Sequence, residues 1–139
     1  MPYRDDWYDA KQLHYAAQDG NIEEVARLVG EGFAINQFDY LSRTPLHYAV
    51  EGEHYLVAKW LLENGADVNA NEEEKIGETA LSLAAQGAYP EIVELLLRHG
   101  ANPDIPGWMG ITAQDRAQKR KDENGVKINA LLTRYRSAV

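Results

Sequence analysis

The chain has 139 residues, 45% hydrophobic and 26% charged, with a net charge of −8. That mix suits one soluble globular domain and excludes a disordered chain. The lack of any cysteine excludes disulfide frameworks and thiolate metal sites, and no apolar run approaches the ~18 residues of a membrane span.

The N-terminus, MPYRDDWYDA, has neither the basic nor the apolar region of a signal peptide, so the expected address is cytoplasmic. Charge is unevenly spread. From Gly107 to Val139, seven basic residues face three acidic ones, a net +4 that leaves −12 on the rest. An acidic body repels phosphates and anionic lipid, so neither nucleic acid nor membrane is an expected partner.

In chain order, Asp5 or Asp6 can cap a first helix. The first of three self-similar segments is LHYAAQDGNIEEVARLVGEGFAIN, Leu13 to Asn36. The second is LHYAVEGEHYLVAKWLLENGADVN, Leu46 to Asn69. Thr44 can cap its first helix, with Pro45 at the first helical position. Leu46, Ala49 and Val50 share one helical face, and Leu56, Val57, Trp60 and Leu61 predict an apolar second helix with Trp60 in the core. Gly65 ends that helix in a left-handed conformation. The third segment is LSLAAQGAYPEIVELLLRHGANPD, Leu81 to Asp104. A fourth, degenerate copy starts at Gly107, where Gly110-Ile111-Thr112-Ala113 repeats Gly77-Glu78-Thr79-Ala80. Its helices are predicted over Thr112–Lys121 and Val126–Arg136, with a turn at Asp122-Glu123-Asn124-Gly125 between them.

The steps from Leu13 to Leu46 and from Leu46 to Leu81 are 33 and 35 residues. Thr44-Pro45-Leu46-His47-Tyr48-Ala49 matches the T-P-L-H-x-A signature, and Asn64-Gly65-Ala66-Asp67-Val68-Asn69 matches a closing turn. The chain resembles the ankyrin repeat from about Ala10 to Leu132. The resemblance implies an all-α solenoid of stacked helix-turn-helix pairs joined by hairpin loops. One domain over 1–139 is expected, with repeats at about 6–38, 39–71, 74–106 and 107–139 and a two-residue insertion at 72–73. A helix pair cannot bury its apolar face alone, so about three repeats are needed and the ends should be polar. Lys11-Gln12 accordingly replaces Thr-Pro in the first copy, and Gln114, Asp115 and Arg116 replace core residues in the last.

The sequence carries no nucleophile elbow, phosphate-binding loop or His-Glu-x-x-His motif. His14 and His47 hold the same repeat position, about 10 Å apart in a helix stack. That is too far to share a zinc, and the resemblance gives this histidine a bond within the turn region. His54 and His99 are expected at exposed turns or helix ends. Glu23-Glu24 and Glu72-Glu73-Glu74 read as solvated charge, without the desolvation that acid–base catalysis needs. The expectation is no enzyme, no cofactor and no metal.

The resemblance implies binding to another protein through hairpin tips and a concave row of first helices. The expected partner-binding residues are Phe38, Tyr40, Leu41, Arg43 and Glu51, then Lys75, Ile76 and Glu78, then Trp108, Met109 and Ile111. Aromatics and arginine dominate interface energetics, and exposed apolar patches mark binding surfaces. The competing reading is that these side chains pack between hairpins. A stand-alone monomeric adaptor or inhibitor is expected. The alternatives are an immunity protein against a basic, nuclease-type toxin, or a repeat scaffold without a natural partner.

Overall fold

The computed structural model describes residues 6–72, 74–75 and 77–137. These form α1 (Asp6–Gln18), α2 (Ile22–Gly30), α3 (Pro45–Glu51), α4 (Tyr55–Glu63), α5 (Ala80–Gly87), α6 (Pro90–Arg98), α7 (Ala113–Lys119) and α8 (Glu123–Ser137), with a 3-10 turn at Trp108–Gly110. No strand occurs among the described residues. First helices stack on first helices, α1 on α3 on α5 on α7, and second on second, α2 on α4 on α6 on α8. The result is an all-α solenoid.

Local chemistry starts or stops several of the helices. Thr79 Oγ1 accepts the Ser82 N–H at 3.1 Å. Thr112 Oγ1 accepts the Asp115 N–H at 3.2 Å while Asp115 returns the bond to the Thr112 N–H at 3.0 Å, a reciprocal capping box. In α3 a histidine takes the aspartate's part, His47 Nδ1 accepting the Thr44 N–H at 3.1 Å. Gly65 and Gly100 end α4 and α6 at φ of +102° and +90°, a left-handed backbone conformation that residues with a side chain rarely adopt. The following Ala66 and Ala101 N–H groups reach back to Leu61 and Leu96. Asp6 is the first described residue of α1, and the other cap candidate, Asp5, lies outside the described residues.

The core repeats with the sequence. Leu13, Leu46 and Leu81 are each 1% exposed, and Ala16, Ala49 and Ala84 beside them are small enough for close helix approach. Asparagines stitch the repeats together. Asn36 bridges the Gly65 carbonyl and the Asp67 N–H, at 3.1 and 2.8 Å. Asn69 does the same with Gly100 and Asn102, at 3.2 and 2.8 Å. At the next equivalent position Asp104 instead pairs with Arg136 of α8.

Two sequence expectations are corrected. The buried face of α4 is Val57, Ala58, Leu61 and Leu62. Each residue turns a helix by 100°, so this face points Leu56 outward, 66% exposed, and leaves Trp60 only partly buried at its edge. In the last repeat α7 stops at Lys119 and α8 already begins at Glu123. Asp122 explains the early start: its Oδ1 accepts the Gly125 N–H at 3.1 Å, as an N-cap does. Arg120 clasps Asp122 at 2.7 Å and donates to the Ala88 carbonyl at 2.8 Å, tying this turn to the third repeat.

Candidate protein-interaction surface

The loop before each first helix folds back on itself. In the first hairpin the Asp39 N–H donates to the Arg43 carbonyl at 2.9 Å and Ser42 N–H to Asp39 at 3.0 Å. In the third, Gly107 N–H donates to Ile111 at 2.8 Å and Gly110 N–H to Gly107 at 3.0 Å. The two loops therefore share one register, which aligns Tyr40 with Trp108 and Leu41 with Met109. All four side chains project outward, with exposures of 76% for Tyr40, 49% for Leu41, 58% for Trp108 and 76% for Met109. Met109 also holds a left-handed φ of +60°, a conformation that costs a non-glycine residue energy. The same aromatic–aliphatic pair thus tips two hairpins where solvent favours polar residues.

The other expected residues divide. Phe38 and Ile111 are half-buried. Arg43 pairs with Glu51 at 2.7 Å across the first-helix face. Lys75 is exposed and pairs with Glu72 at 3.2 Å. Glu78 turns inward: it binds Arg116 at 2.7 Å with its side chain 13% exposed and also accepts the Trp108 N–H at 3.2 Å. Its charge ties the third hairpin to α7 and is not at the rim. Ile76 lies outside the described residues, as does Glu73.

Behind the first hairpin, a groove of about 310 Å³ runs along α1 and α3, lined by Tyr15, Tyr40, Tyr48 and Arg43 among others. Lys11 Nζ sits 3.9 Å above the Tyr40 ring, a cation–π contact that orients the ring without burying it. Tyr48 donates its hydroxyl to Asp39. Burial alone pushes the Asp39 carboxyl up, but the Tyr48 hydroxyl and the Arg43 and Leu41 N–H groups outweigh it and hold the carboxyl below its ordinary value. Burial and this carboxylate together push the Tyr48 phenol up. Asp39 therefore stays charged and fixes the loop. A neighbouring groove of about 470 Å³ continues past Arg43 and Glu51 to Leu83 and Gln86. Tyr15 and Tyr48 were missing from the sequence-predicted set. Their signal is that each directly follows the repeat histidine, one residue beyond the buried face.

The histidines serve the framework. His14 Nε2 is 2.7 Å from the Gln37 carbonyl and His47 Nε2 is 2.6 Å from that of Glu78. His54 bonds the Gln18 carbonyl at 2.9 Å and His99 that of Leu95 at 3.0 Å. His54 is half-buried, and His99 is exposed. Among the described residues no helix is long and apolar enough to cross a membrane.

Comparison with known proteins matches this architecture. The family described as "Ankyrin repeats (3 copies)" covers residues 5–72, and "Ankyrin repeats (many copies)" covers residues 50–97. Human inversin is 36% identical over 129 residues, 92% of this chain and 10% of its own length. The rice BTB/POZ domain and ankyrin repeat-containing protein NPR5 is 38% identical over 113 residues, 80% of this chain and 21% of its own. The Caenorhabditis elegans ankyrin repeat and KH domain-containing protein mask-1 is 38% identical over 94 residues, 68% of this chain and 4% of its own. The chain thus spans less than a quarter of the length of each of these relatives. Ankyrin repeats form protein-interaction modules and are generally non-catalytic. With stacked helix pairs, asparagine-stitched turns and two matches that together span residues 5–97, the chain belongs to the ankyrin-repeat family.

Proposed function

We propose that this chain binds a protein partner through its hairpin tips and first-helix face, as an adaptor or inhibitor without catalysis or cofactor of its own. The observation that carries the reading is the exposed pair Tyr40-Leu41 matched in register by Trp108-Met109. Large apolar side chains held outward on hydrogen-bonded loops are interface anchors. Between them, Arg43, Glu51 and Lys75 supply polar contacts. In this reading one domain of four repeats acts as a cytoplasmic monomer.

Retention of partners from source-cell extract tests it, with Tyr40→Ala and Trp108→Ala compared with the wild type. Proteins held by the wild type should be lost from both variants, whose melting stays unchanged. An identical retained set would overturn the reading.

A second reading rests on the charge asymmetry, −12 before Gly107 against +4 after it. A basic partner, such as a nuclease-type toxin, would meet the acidic face, and rim charges would speed its association. The association rate should then fall steeply with added salt, and Glu72→Lys with Glu74→Lys should slow it. A rate indifferent to both would leave the acidity as a solubility feature.

A further inference from the structure

The second-helix row carries a cleft of about 400 Å³ between α4 and α6, within the size range of small ligand sites. Tyr55 and Tyr89 line it together with Glu53, Glu91 and Glu94, and Arg98 closes one side. Helix geometry requires neither ring. Tyr89 holds the N-cap position of α6 yet makes no capping bond and is 56% exposed. Asn21 at the equivalent place caps α2 by accepting the Glu24 N–H at 3.1 Å. Tyr55, at the first position of α4, is 37% exposed.

The charges are unevenly matched. Arg98 is drawn to Glu94 at 3.5 Å and to Tyr135. Among the described residues, Glu53 and Glu91 have no basic partner at ion-pair distance. Two aromatic faces beside unpaired carboxylates suit a planar cation. Ring faces attract a guanidinium stacked on them, and carboxylates accept its N–H groups in pairs. A lysine ammonium, a compact and strongly hydrated point charge, fits such walls less well.

We propose that this cleft receives an arginine side chain from a protein partner, seated against Tyr55 and Tyr89 with its N–H groups on Glu53 and Glu91. It is a second contact point, formed by the outer helices and the α3–α4 turn. The hairpin tips lie at the other end of the helix pairs. It shares with the reading above only the premise of a protein partner, and its test does not involve the hairpins.

The test titrates the full chain with the blocked peptide Gly-Gly-Arg-Gly-Gly and with its citrulline and lysine counterparts, following backbone amide shifts by NMR. The arginine peptide should move the amides of Tyr55, Tyr89 and Glu94. The citrulline peptide, isosteric but neutral, should bind about tenfold more weakly. Tyr89→Ala should weaken the arginine peptide by about fivefold. If Tyr89→Ala fails to fold, the Glu53→Gln, Glu91→Gln double variant, which preserves shape, should show the same loss. Equal binding of the arginine and citrulline peptides would overturn the proposal. So would shifts confined to the first-helix face, or no shifts at all.

Discussion

His47 Nε2 lies 2.6 Å from the backbone carbonyl of Glu78, a residue of the next hairpin. On the other side of the ring, Nδ1 accepts the Thr44 N–H at 3.1 Å. A nitrogen that accepts from an N–H carries no proton, so the ring is neutral with its hydrogen on Nε2, donated to Glu78. One side chain thus caps its own helix and joins two repeats while 1% exposed.

Burial, with the nearby Arg43 charge, drives the His47 pKa down from 6.5 to about 4, against the Glu78 bond that favours the charged ring. The unfolded chain therefore binds the proton first as pH falls. The stability due to the neutral ring is complete above pH 6.5 and is lost progressively as pH falls toward 4. The loss is of the order of 3 kcal/mol. Urea unfolding across this window should show the slope, and His47→Gln should flatten it between pH 6.5 and 5. An equal slope in both proteins would assign it to other groups.

Position within one short helix should separate two leucines. Leu61→Ala empties a fully buried site and should cost about 2–5 kcal/mol. Leu56→Ala, at a site 66% exposed, should cost well under about 1 kcal/mol. Denaturant midpoints of the two variants measure the difference directly, and comparable losses would contradict the α4 orientation.

Arg116 and Glu78 form an ion pair with side chains only 17% and 13% exposed. Arg116→Met should cost about 2–4 kcal/mol, because it strands a largely buried carboxylate. Adding Glu78→Gln to it should recover part of the loss. The exposed Arg27–Glu24 pair sits in water, so Arg27→Met should leave the thermal midpoint nearly unchanged. Similar shifts for both arginines would show that burial does not set the difference.

Asn69 joins the second and third repeats through its bonds to Gly100 and Asn102. Asn69→Ala should destabilise by about 1–3 kcal/mol. Hydrogen exchange should also rise at the turn around Asn102 before it rises in α1. Uniform exchange changes along the chain would mean that the repeats unfold as one unit.

The repeat and its helices were legible in the amino-acid order because each depends on neighbours within a few positions. Leu46, Ala49 and Val50 lie on one face by helix periodicity alone, and Thr44 immediately precedes the helix it is expected to cap. The residue types at the hairpin tips were legible too, since Tyr40 and Trp108 fall where turn chemistry calls for polar side chains. Their shared register and outward projection were not, because a side chain's exposure depends on what packs over it from elsewhere in the chain. Glu78 reads as a rim charge until Arg116, distant in sequence, draws it inward. Leu56 and Trp60 read as core until packing against α2 and α6 sets the rotation of α4. The cleft between Tyr55 and Tyr89 exists only once α4 and α6 stand side by side. Sequence periodicity determines which face of a helix is apolar; only the neighbouring helices decide how much of that face is covered, and so which residues remain to meet a partner.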